Sequence, residues 1–152
     1  MLSNLGNIIL FVIGMISITI IFYSYQDLKN SEQLISKKIY HLSLLQSTFT
    51  VACFFTLVTA FIVSDFSIIT VYQNSHTLKP LIYKISGTWG NHEGSLLLWI
   101  IILTIFSFLF LLLNKNHPKD YRAYTLITQN ILILGFLLFL IFNSNPLIFA
   151  SL

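Results

Sequence analysis

Residues able to do chemistry concentrate in one stretch, Thr88-Trp89-Gly90-Asn91-His92-Glu93-Gly94-Ser95, which runs directly into Leu96-Leu97-Leu98-Trp99. It sets an imidazole, a carboxylate, two indoles and two glycines at the mouth of an apolar helix. His92 can bind or steer a ligand, and Trp89 and Trp99 can stack on a planar group. Gly90 and Gly94 let the backbone turn and approach another surface closely. Asn91 suits the N-cap, and Glu93 in the first turn complements the helix dipole. In a helix starting at Asn91, His92, Ser95, Leu96 and Trp99 share one face, while Glu93 goes with Leu97 and Ile100. His92 and Glu93 therefore do not pair with each other. Two readings fit these residues. One is a surface platform for a planar apolar cofactor. The other is a set of interfacial anchors at a membrane surface, where tryptophan is favoured, with Glu93 serving only the dipole.

The elements that position this stretch are membrane spans. The chain is 56% hydrophobic and 9% charged, against roughly 25% charged residues in an average soluble domain. A span needs about 20 predominantly apolar residues. Four segments qualify, Leu5–Tyr25, Ile39–Val63, Ser95–Leu113 and Ala123–Phe142, and none holds Asp, Glu, Lys or Arg. The fold class is thus all-α, a polytopic membrane protein with four transmembrane helices in one membrane domain over 1–152. Pumps and ion-coupled carriers keep ionisable groups at mid-membrane, so this chain does not read as a pump. The net charge of +3 reflects orientation rather than nucleic-acid binding. Lys29, Lys37, Lys38, Lys115, Lys119 and Arg122 lie in the two short loops, against Lys79 and Lys84 on the other side. This places the short loops in the cytoplasm or matrix, and the N-terminus, the 64–94 segment and the C-terminus outside. The loop charges read as a solvated face, and His41 and His117 beside them as interfacial residues. The first span lacks a basic n-region and a small-x-small cleavage site, so it reads as a mature helix rather than a signal peptide.

Small and polar residues mark the helix contacts. Gly6, Gly14 and Ser17 in the first span, and Thr56, Ala60 and Ser64 in the second, allow close approach. Gln46, Thr50 and Cys53 form a mildly polar row, and Gln129 and Asn130 do similar duty in the fourth span. These stripes serve packing within the four helices or against helices outside the chain. Cys53, the single cysteine, excludes an internal disulfide, a CxxC redox pair and covalent c-type haem attachment. The 64–94 segment is long for a connector. Phe66–Tyr72 reads as extended or as a continuation of the second span. Leu78, Leu81, Ile82 and Ile85 recur at helical spacing, with Pro80 suited to the first turn and Gly87 to the C-cap. Leu78–Ser86 thus reads as a short amphipathic helix lying on the outer leaflet.

The block Tyr83-Lys84-Ile85-Ser86-Gly87-Thr88-Trp89-Gly90-Asn91-His92-Glu93-Gly94-Ser95-Leu96-Leu97-Leu98-Trp99 resembles the W-G-x-H-E-G-S-L-L-L-W block of the CcmF-type haem lyases. Phe61-Ile62-Val63-Ser64-Asp65-Phe66-Ser67 and Val71-Tyr72-Gln73-Asn74-Ser75 resemble that family's segment after its second span. Phe136-Leu137-Leu138-Phe139 and Ser144-Asn145-Pro146 resemble the end of its fourth. The resemblance covers essentially the whole chain and implies a role in cytochrome c-type biogenesis. It implies the N-terminal portion of a membrane haem lyase, working at the outer face of a bacterial or mitochondrial inner membrane. Haem is the implied cofactor, taken from a haem chaperone and joined to apocytochrome c. The family's tryptophan-rich W-W-x-W-D motif and haem-ligand histidines have no counterpart here, so the implied partner is a second fragment that carries them. No catalytic or metal-ligating residue carries over. Trp89, Gly90, Asn91, His92, Glu93, Gly94 and Trp99 remain as a cofactor-binding or partner-facing motif. Other classes stay open: a structural subunit of a respiratory complex, or a non-functional truncated copy.

Overall fold

The computed structural model describes residues 2–30, 35–143 and 145–147. Residues 31–34 of the first short loop, Ser144 and the expected outward C-terminus lie outside the described residues. Among the described residues six helices follow one another: α1 (Leu2–Lys29), α2 (Lys37–Val63), α3 (Ile69–Asn74), α4 (Leu81–Gly87), α5 (His92–Leu113) and α6 (Lys119–Asn143). Four of them, α1, α2, α5 and α6, are long and apolar enough to cross a membrane. They form a ring in which α1 packs on α2, α2 on α5, α5 on α6 and α6 back on α1. Short loops of 30–36 and 114–118 make the sequential pairs antiparallel neighbours, as connections of that length require.

Two apolar clusters fill the ring. Leu10, Ile13, Leu57, Phe61, Leu97 and Ile133 anchor the one toward α4, the motif end. Ile20, Ile39, Leu111 and Leu126 anchor the one toward the short loops. Between them runs a polar layer. Gln46 donates through Nε2 to Ser17 Oγ at 2.6 Å and to Asn130 Oδ1 at 3.1 Å, tying α2 to α1 and α6. Such interhelical bonds contribute roughly 0.6–2 kcal/mol in a membrane. The polar stripes of Ser17, Gln46 and Asn130 are therefore used within the four helices.

The short-loop end is held by cations. Arg122 is only 3% exposed, which corrects the reading of the loop charges as a solvated face. Its guanidinium donates to the Tyr40 hydroxyl and, at 3.2 Å, to the Leu111 carbonyl. That carbonyl is one of the last four of α5, which have no partner inside their own helix. Lys119 does the same for α1 by donating to the Asn30 carbonyl at 2.6 Å.

At the motif end the 64–94 segment departs from the sequence expectation. Phe66–Tyr72 neither stays extended nor continues α2. Ser64 takes the left-handed conformation (φ 57°, ψ 50°) and stops α2. Asp65 then accepts from the backbone and hydroxyl of Ser67, and α3 begins at Ile69. The amphipathic helix starts at Leu81, with Pro80 as its N-cap, and Gly87 is its last residue rather than its cap. It shows Leu81, Ile82 and Tyr83 to the exterior, while Lys84 turns back to donate to Ser64 Oγ at 2.6 Å. The segment after α6 returns to α1. The Leu147 carbonyl accepts from Ser3 Oγ and Asn7, and Asn145 donates to Asn7 at 2.8 Å. Leu147 seats on Gly6, where any Cβ would collide with it.

Candidate functional site

The motif folds as a tight corner between α4 and α5. Asn91 organises it. Its Oδ1 accepts from the Gly94 amide at 2.6 Å, which makes it the N-cap of α5. Its Nδ2 donates to the Gly87 carbonyl at 2.8 Å and so also closes the end of α4. One side chain thus satisfies orphan groups of two helix termini. Gly90 donates its amide to Ser86 O at 3.1 Å. Thr88 is fully buried under the corner. Gly94 is needed for space rather than torsion, because no glycine here has positive φ. A Cβ on it would lie 2.8 Å from the Thr88 carbonyl carbon and closer still to its oxygen.

With the corner built from Asn91, Gly90, Gly94 and Thr88, the larger side chains are left outward. Trp89, 44% exposed, stacks on Phe54 of α2, with ring centroids 6.5 Å apart and planes at 22°. His92 is exposed and meets the Phe139 ring of α6 edge-on at 6.2 Å. Trp99, 59% exposed, lies against Phe136 of α6 at 6.4 Å. Glu93 sits half-buried in the first turn of α5, where an acid complements the helix dipole. The two tryptophans therefore do not share one surface. Trp89 belongs to the α2 side of α5, and His92 and Trp99 to the α6 side. Phe136 and Phe139 complete that second surface. Sequence reasoning had singled out this pair only as part of a resembling segment, since nothing local in α6 shows which rings face α5.

The α6-side surface combines three rings, Trp99, Phe136 and Phe139, with one imidazole. Among the described residues no hydrogen bond engages the His92 ring, so a nitrogen is available as a single donor. Such a set could stack against an apolar group, with the imidazole as its one nitrogen ligand. No group of three or more His, Cys, Asp or Glu able to hold a metal ion occurs among the described residues.

No family model matches the chain. It is similar to the cytochrome c-type biogenesis protein CycK of Bradyrhizobium diazoefficiens, 47% identical over 104 residues, covering 68% of the chain and 16% of that protein. It is 48% identical over 93 residues to CycK of Rhizobium meliloti, covering 61% of the chain and 14% of that protein. Against CcmF of Escherichia coli it is 42% identical over 93 residues, again 61% of the chain and 14% of the relative. Among solved structures the fold matches the cytochrome c haem lyase CcmF with a TM-score of 0.86 at 21% identity. That match covers 97% of the chain and 25% of that structure. The chain thus spans a small part of the length of the relatives it matches. A multi-pass membrane protein with four apolar helices and this corner, it belongs to the CcmF/CycK family of cytochrome c-type biogenesis proteins.

Proposed function

We propose that this chain supplies the N-terminal four-helix part of a membrane haem lyase, working with a second fragment that carries the tryptophan-rich motif and haem-ligand histidines. The observation that carries this reading is the exposed surface of His92, Trp99, Phe136 and Phe139 beside the corner that Asn91 and Gly94 build. Its rings would lie against haem or against the apolar helices of the partner fragment, with Trp89 and Glu93 facing the partner from the α2 side and the first turn. Gly90, Asn91 and Gly94 act through the shape of the corner. Haem would be delivered by a haem chaperone and joined to apocytochrome c by the assembled pair. When bound, haem supplies the vinyl groups to which apocytochrome thiols add, and the residues of this chain hold and orient. The excess of cations in the short loops supports an orientation with those loops inside and the corner outside. The exposed face of α4 then rests in the lipid interface of the inner membrane.

Co-expression with the fragment bearing the tryptophan-rich motif tests the proposal. Copurification of the two chains, with haem content and cytochrome c yield reduced by His92→Ala, is expected. Failure of the chain to associate with either that fragment or haem refutes it.

A further inference from the structure

We propose that Ser24, Ser43, Gln46, Ser107 and Arg122 line an internal water-binding site in the short-loop half of the bundle. Serines and threonines in membrane helices satisfy their hydroxyls by bonding a carbonyl of the preceding turn. On the four long helices, every other serine and threonine donates to a carbonyl. Ser24, Ser43 and Ser107 alone do not, and each hydroxyl is buried with no partner among the described residues. They come from three different helices, α1, α2 and α5. Each stands five or six residues from the short-loop end of its helix, which is roughly 8–9 Å along the axis. The helix ends are level, because Lys119 ties α1 to α6 and Arg122 ties α5, α6 and the start of α2. The three hydroxyls therefore lie at one depth, and Ile20, Ile39 and Leu111, each one turn from one of these serines, pack in a single cluster, so the three helix faces turn to the same half of the core.

Two further buried atoms without a partner bracket them. Arg122 Nε, from α6, lies nearer the short loops, and Gln46 Oε1 lies about one turn deeper. All four helices thus contribute a buried, unpartnered group to the short-loop half of the bundle. The set pairs a charged donor at one end with an acceptor at the other and three hydroxyls, each able to donate or accept, between them. Leaving such groups unpaired costs their full desolvation, and buried water makes about three hydrogen bonds to groups of this kind. Among the described residues the partners of Arg122 are neutral oxygens, so water also completes the solvation of its charge. Among the described residues the other buried hydroxyls without a partner, Ser75 Oγ and Thr88 Oγ1, lie outside the four long helices. Water, a small neutral molecule that both donates and accepts, is the ligand this donor and acceptor pattern selects. The inference stands independently of the proposed lyase role.

Pulsed X-ray radiolysis in H2¹⁸O labels side chains that touch bound water. Ile39, one turn from Ser43, and Leu111, one turn from Ser107, are both fully buried. They are expected to take up ¹⁸O several-fold more than Leu57 and Ile100, equally buried at the motif end. In the Ser43→Ala, Ser107→Ala double variant the label at Ile39 and Leu111 should fall to the level of those controls. Wild-type labelling no higher at Ile39 and Leu111 than at Leu57 and Ile100 overturns the proposal without recourse to any variant. So does a folded double variant that keeps its label.

Discussion

Replacing Gly94 by alanine sets the heaviest demand on the corner. The added carbon lies 2.8 Å from the Thr88 carbonyl carbon, closer to its oxygen, and 3.1 Å from Asn91 Oδ1. Carbon atoms pack at about 3.5–4 Å and the oxygen stands nearer than the carbon, so the Thr88 peptide must retreat by more than an ångström. That peptide is backbone beneath a fully buried side chain, not the tip of a flexible one. Overpacking of this kind costs roughly 1–3 kcal/mol, and loosening the Asn91 cap adds about 1 kcal/mol, giving roughly 2–4 kcal/mol in total. For a chain of this size that corresponds to a fall of roughly 5–15 °C in Tm. The protein carries its own probe: Cys53, its single cysteine, is fully buried, so a thiol-reactive fluorophore reports unfolding during a thermal ramp. Gly14 and Gly135 are the controls, because a Cβ on either meets nothing within 4 Å. Alanine there should leave Tm unchanged or raise it, since glycine inside a helix costs about 0.5–1 kcal/mol relative to alanine. A Gly94→Ala variant that melts with wild type, or with Gly14→Ala at an equal loss, refutes the close-approach account.

Gly6→Ala should cost less than Gly94→Ala in the same ramp, because the obstructing atoms are the side-chain tip of Leu147, which can shift. Asn91→Ala is expected to lose about 1 kcal/mol or more, since one side chain closes two helix ends. Gln46→Leu and Asn130→Leu should be non-additive in a double-mutant cycle by roughly 0.6–2 kcal/mol, because they share one hydrogen bond across α2 and α6. Arg122→Gln should lower Tm by more than Lys115→Gln, since Arg122 is buried on the end of α5 and Lys115 is exposed. Equal effects would mean the buried guanidinium holds nothing together.

Membrane character and the four spans were legible in the chain because hydropathy is a local sum: runs of apolar residues without charge need no partner to be recognised. The cap at Asn91 was legible for the same reason, as its bond to Gly94 spans three residues. So was the short amphipathic helix, though Pro80 moved its start and Ser64, in a left-handed conformation, opened the connection that places α3. Tertiary structure alone decided the rest. That Trp89 turns to Phe54 while His92 and Trp99 turn to Phe139 and Phe136 depends on which helices flank α5 in the ring. Arg122, a loop cation by its neighbours in sequence, became a buried clamp because the ends of α2 and α5 converge on it. Gly94 looked like a turn residue, yet what it answers to is the Thr88 backbone pressed against it. Local sequence carries propensity and polarity, whereas contact between distant residues is set only when the helices choose their neighbours and close against one another.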